Sequence, residues 1–95
     1  MKNILTIIVL LLSVYSLNAQ NNFVTDIIKT SAGDLKITFV GHATLIFEFK
    51  NMIIHIDPVG RYADYSKLPK ADLILITHQH GDHLDPDAIE MIKKR

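Results

Sequence analysis

The chain has no cysteine among its 95 residues. That excludes a disulfide framework, a thiolate metal site, a thiol nucleophile and a lipid-modified cysteine anchor. Any metal it binds is held by nitrogen and oxygen. It also has no surplus of charge of one sign, since ten basic residues balance ten acidic ones. A net charge near zero gives no reason to expect nucleic acid or an anionic surface as a partner. A long hydrophobic run is missing as well. The apolar stretch Ile4 to Leu12 is short for a membrane span. Finally, no histidine follows His83.

The short apolar run has a plan of its own. Lys2 supplies a positive start, the run follows, and Leu17-Asn18-Ala19 offers a small residue for cleavage before Gln20. This is the three-part layout of a secretory signal peptide. Residues 1–19 are therefore expected to be a signal peptide, with an uncleaved anchor as the alternative. The product is expected to be exported, periplasmic or secreted, with no stable membrane span after cleavage. Residues 20–95 are few for an independent core.

What the chain does have is histidine and aspartate, concentrated in one place. Leu73 to Ile76 are four consecutive aliphatics, which read as a buried strand. They run into Thr77-His78-Gln79-His80-Gly81-Asp82-His83. His78 and His80, two apart in an extended loop, can turn their side chains the same way and share a metal if a third ligand arrives from elsewhere. Asp82 and His83 follow a glycine and are placed to hold a second metal nearby. Imidazole and carboxylate suit zinc, and manganese or iron as well. Two metals roughly 3.5–4 Å apart clamp a carbonyl or phosphoryl oxygen during attack by a shared hydroxide. A lone His-x-His would be weak evidence; the full run after an aliphatic strand is specific.

Around this loop the elements are legible. Phe23 to Thr30 does not decide between strand and amphipathic turn, and Ser31 to Asp34 is a turn signal. Leu35 to Val40 alternates as a half-buried strand does, and Ala43 to Lys50 resumes after Gly41-His42. Lys50-Asn51 reads as a two-residue turn lacking the usual glycine. Met52 to Ile56 is a third strand, ended by Asp57-Pro58. Three strands with short connections make an antiparallel meander. Residues 59–72 form a long connection, either a plain crossover or a substrate-facing loop offering Arg61, Tyr62 and Tyr65. A helix start follows, with Asp85 as N-cap, Pro86 at N1, Asp87 in the first turn, and Leu84 and Ile89 at staple spacing.

The run Thr77 to His83 resembles the signature of the metallo-β-lactamase superfamily. Gly41-His42-Ala43-Thr44, Ile53-Ile54-His55-Ile56 and Asp57-Pro58 are similar to the branch of ascorbate-6-phosphate lactonase-like and N-acylphosphatidylethanolamine phospholipase D-like hydrolases. The likeness covers about residues 35–90. It implies an α+β fold, the N-terminal portion of a four-layer αββα sandwich, with antiparallel strands followed by a helix. By position it makes His78 and His80 ligands of a first metal and Asp82 and His83 ligands of a second, with Asp82 in the catalytic machinery. Two zinc ions are implied per complete site. Asp57 matches an early aspartate that supports the metal loop, against a turn-capping carboxylate. His42 matches a histidine that faces the site, against a structural one. His55, inside an apolar strand, reads better as a core or edge histidine.

The family pattern also requires a third histidine, a bridging aspartate and a final histidine downstream, which residues 84–95 do not supply. Asp85 and Asp87 belong to the helix start. The expectation is thus part of a zinc-dependent hydrolase, acting on a small molecule by attack of metal-bridged hydroxide on an ester, lactone, amide or phosphodiester. The missing half would come from downstream sequence, and the 95 residues alone would be inactive. The alternative is a truncated, non-catalytic metal-binding fragment; a remnant that does not fold is a further one.

Overall fold

A computed structural model describes residues 22–95; the expected signal peptide lies outside them. Five strands form one sheet in chain order: β1 Val24–Thr30, β2 Gly33–Gly41, β3 Thr44–Phe49, β4 Met52–Ile56 and β5 Leu73–Leu75. The first four are successive antiparallel partners, and β5 returns parallel to β4. A 3₁₀ turn at Tyr65–Lys67 interrupts the crossover, and one helix, α1, spans Pro86–Ile92. No helix of the described residues is long and apolar enough to cross a membrane.

The antiparallel meander matches expectation and gains a fourth strand. The undecided segment is β1, paired with β2 from Val24↔Phe39 to Thr30↔Gly33. Gly33 and Asp34 are already in the ladder, so the turn narrows to Ser31 and Ala32. Lys29 closes this hairpin on Asp34 at 2.7 Å. Between β3 and β4, Lys50 and Asn51 take positive φ of 49° and 65°. Two left-handed residues make the tight turn whose twist suits a hairpin, here without glycine.

The two faces of the sheet have different fates. The row Thr38–Ile46–His55–Ile74 crosses four strands. The crossover and α1 pack over this side. Tyr65, Ala71, Ala88 and Ile92 are its buried cluster, with Ala63, Leu68 and Ile74 against them. The opposite row, Val24–Phe39–Leu45–Ile56–Leu75, is apolar in all five strands. Nothing among the described residues covers it: Val24 is 71% exposed and Leu75 46%.

Two expectations change here. Leu73 to Ile76 was to be a buried strand, but β5 is an edge whose Leu73 and Leu75 lie on the open face; only Ile74 turns toward the core. An aliphatic run reports two faces meant for burial, not whether the described residues cover both. Tyr65, offered above as substrate-facing, is instead core at 1% exposure, with its ring 5.8 Å from the buried His55. Burial pushes its phenol up to about 12.

Candidate metal centre

Strand direction brings the site together. β4 and β5 are parallel, so both end at the same edge, where Asp57 and Thr77 leave them. The β2–β3 turn lies at that edge too, since Leu45 beside it pairs with Ile56. The chain end of β4, the chain end of β5 and the turn bearing His42 therefore meet.

Asp57 is the buried centre of the hydrogen bonding. It is fully buried, with a positive φ of 47°, a conformation an aspartate tolerates at a strain cost. The backbone is fixed from both sides: Asp57 N–H donates to the Leu75 carbonyl at 2.9 Å, and the Thr44 hydroxyl donates to the Asp57 carbonyl at 2.7 Å. Its carboxylate accepts from Thr77 N–H at 2.7 Å and from the Thr77 hydroxyl at 2.6 Å. It also accepts from His83 Nδ1 at 2.7 Å. Burial opposes the charge, but the Thr77 hydroxyl, His83 and the Thr77 amide outweigh it and hold the carboxyl below its ordinary range.

These bonds settle which imidazole nitrogens are free. His83 Nδ1 donates to Asp57, so Nε2 is the nitrogen turned away from it toward Asp82. The single Thr77 hydroxyl proton goes to Asp57, so Thr77 Oγ1 accepts from His78 Nδ1 at 3.1 Å. His78 Nε2 is then free as well. Thr77 was part of the sequence motif without a role of its own. Its signal is structural: the residue two beyond the end of β5 lies beside the residue one beyond the end of β4.

The exposed imidazoles stand close together. The His78 ring lies 4.7 Å from that of His80 and 3.8 Å from that of His83. Two sets of ligand atoms converge, His78–His80–Asp82 and His42–Asp82–His83, each with all atoms within 4.8 Å of one another. Asp82 belongs to both. Its carboxyl lies below the ordinary range: its own desolvation opposes this, and its own backbone amide, His83 and His42 prevail. All the site residues expected from the sequence are brought to one edge of the sheet. Asp85 and Asp87 stay with α1, where Asp85 accepts from Asp87 N–H and Ala88 N–H.

Beside the cluster, not within it, a cavity of about 510 Å³ lies between residues 60–65 and α1. All three loop residues offered as substrate-facing border it, Tyr65 with only 1% of its surface exposed, and Tyr62 also stacks on His42 at 6.0 Å between centroids.

Residues 36–94 match the beta-lactamase superfamily domain. The chain belongs to that superfamily. A metal-dependent hydrolase of Geobacillus sp. (strain WCH70) is 42% identical over 64 residues, covering 63% of this chain and 28% of the relative. One from Nanoarchaeum equitans is 40% identical over 60 residues, 63% of this chain and 25% of the relative. A crystal structure of a candidate metal-dependent hydrolase from Parabacteroides distasonis superposes with a TM-score of 0.74 at 53% identity, covering 76% of this chain and 33% of that one. The sheet and helix are the N-terminal part of the superfamily's α/β fold. The chain spans about a quarter to a third of the length of the relatives it matches.

Proposed function

We propose that this chain carries the metal-binding half of a zinc-dependent hydrolase active site. The observation that carries this reading is the orientation of His83: its Nδ1 donates to the buried Asp57, so Nε2 faces outward toward Asp82. Carboxylate-backed imidazole is the usual arrangement for a metal ligand. His78 and His80 hold one ion, and Asp82 and His83 the other. Asp57 and Thr77 orient the imidazoles. Nitrogen and oxygen donors suit zinc first, and manganese or iron also fit them.

When bound, such ions supply an activated water and Lewis-acid polarisation of the reacting oxygen. The chain's own part is to fix the ligand nitrogens, keep Asp82 ionised between the two ligand sets, and line the approach with Tyr62 and Arg61. The substrate is a small molecule bearing an ester, lactone, amide or phosphodiester. The motifs at Gly41–Thr44 and Ile53–Pro58 favour the branch of ascorbate-6-phosphate lactonase-like and N-acylphosphatidylethanolamine phospholipase D-like hydrolases. The remaining ligands and most of the pocket come from further sequence, as the length of the relatives suggests. Residues 1–19 direct export.

A second reading, metal binding without catalysis, is favoured by the exposure of His78, His80 and Asp82 on an open surface. Zinc titration against a chromophoric chelator tests the shared core of both readings. At least one tightly held equivalent is expected in the chain and a clear loss in His80→Ala. No uptake by the unaltered chain would overturn both. Chelator-sensitive turnover of ester, lactone or phosphodiester substrates, measured with the proposed further sequence joined to the chain, then separates hydrolase from binder.

A further inference from the structure

The cavity of about 510 Å³ between residues 60–65 and α1 has the size of a small-molecule site. Its walls are fixed from two directions. Asp85, at the start of α1, accepts from Gly60 N–H at 2.8 Å. The Tyr62 ring fits where Gly41 has no Cβ, which would lie 2.9 Å from it. The same ring stacks on His42, so Tyr62 is the wall that the cavity and the histidine cluster share.

The lining is largely apolar, with Ala63, Ala88 and Met91 beside two tyrosines. The charges on it are not all engaged. Asp64 is held by the Ser66 amide and hydroxyl, and Asp85 by the amides of Gly60, Asp87 and Ala88. Arg61 and Asp87 are exposed and opposite in sign, yet neither side chain has a partner among the described residues, and they do not pair with each other. A third group is also unmet. Tyr65 is 1% exposed, and its hydroxyl, near the Val59 backbone and Asp85, completes no hydrogen bond among the described residues. An orphaned buried hydroxyl is costly, and a polar ligand atom relieves it. The ligand that matches this lining carries both signs of charge on an apolar body.

We propose that this cavity binds the zwitterionic end of an amino-acid derivative, with its carboxylate on Arg61, its ammonium on Asp87 and its side chain along Tyr62 and Met91. A guanidinium takes a carboxylate through two parallel N–H donors, and a lone carboxylate suits an ammonium. The proposal rests on the hydrolase reading above and names its substrate class: an amino acid whose side chain carries the ester, amide or phosphodiester to be cleaved. Tyr62 then lies between the recognised end and the metal cluster.

The test is equilibrium dialysis of the full, metal-free chain against isotope-labelled norleucine, an amino acid with an unbranched apolar side chain. Saturable binding at a single site is expected. Norleucine methyl ester, which keeps only the ammonium, and N-acetylnorleucine, which keeps only the carboxylate, should each bind at least about tenfold more weakly. Arg61→Gln and Asp87→Asn should weaken norleucine by a similar factor while keeping the circular dichroism and zinc uptake of the parent. Equal binding of either single-charge analogue, or norleucine binding unchanged in either variant, would overturn the proposal. No norleucine bound with zinc uptake intact would overturn it alone. Absent zinc uptake with norleucine still bound would overturn the metal-binding reading and leave this site standing.

Discussion

A buried ionisable group has two ways to reconcile itself with the loss of water, and this chain shows each. Asp57 keeps its charge, because Thr77 and His83 replace the lost water with hydrogen bonds. His55 has less. Its Nε2 meets the Pro69 carbonyl at 2.9 Å while Nδ1 has no partner among the described residues. Burial lowers its pKa, against the smaller opposing pull of the Pro69 carbonyl and Glu48. The unfolded chain, with an ordinary histidine near 6.5, thus takes up a proton before the folded one does. His55 contributes its full stability above that value and loses it as pH falls toward the depressed folded value. Urea unfolding of the metal-free chain should show stability falling below pH 6.5, by at most about 1.4 kcal/mol per pH unit from this residue. His55→Gln, which keeps a donor for Pro69, should remove that component. An unchanged slope would mean the folded core accepts the proton.

The same residues show what a sequence can disclose at this scale. His55 reads as core because it sits among aliphatics. The histidine loop reads as a metal site because composition alone concentrates the ligands. The approach of His42 to Asp82, forty positions apart, has no local trace. It depends on β5 returning parallel to β4, which no residue pattern in either strand specifies.

Among the elements, β2 and β3 are legible through alternation, β4 through the Asp57-Pro58 that ends it, and α1 through its start. Asp85 is the N-cap, accepting from Asp87 N–H at 3.1 Å and, at the longer 3.4 Å, from Ala88 N–H. The structure adds a bond the pattern does not contain: its other carboxylate oxygen accepts from Gly60 N–H at 2.8 Å. One side chain thereby ties the start of the crossover to the start of the helix that covers the core. Asp85→Ala removes the cap, worth about 1 kcal/mol, and leaves the Gly60 amide without its acceptor, worth roughly another 1 kcal/mol. A lower urea midpoint at constant slope is the expected outcome, with Asp85→Asn falling between parent and alanine. A midpoint unmoved by alanine would show that α1 is held by Ala88 and Ile92 packing alone.

For the molecule as a whole, the row Val24–Phe39–Leu45–Ile56–Leu75 is the largest unmet demand. Alternation in β2 and β3 discloses that this face is apolar. It cannot disclose whether a cover lies among the described residues, which is why β5 reads as buried and stands at an edge. The match takes in only a quarter to a third of each relative's length. Left open, such a face draws other apolar surface onto itself, and the unpaired edge of β1 offers a template for doing so. The chain prepared alone should therefore bind a hydrophobic dye strongly and sediment as concentration-dependent assemblies. Phe39→Lys with Leu75→Lys places two charges at the second and last positions of the row, on strands whose core contacts lie on the other side. The pair should shift sedimentation toward the monomer and reduce dye binding while preserving circular dichroism and zinc uptake. Assemblies that persist in the double variant would locate the association elsewhere, with the β1 edge as the surface to alter next.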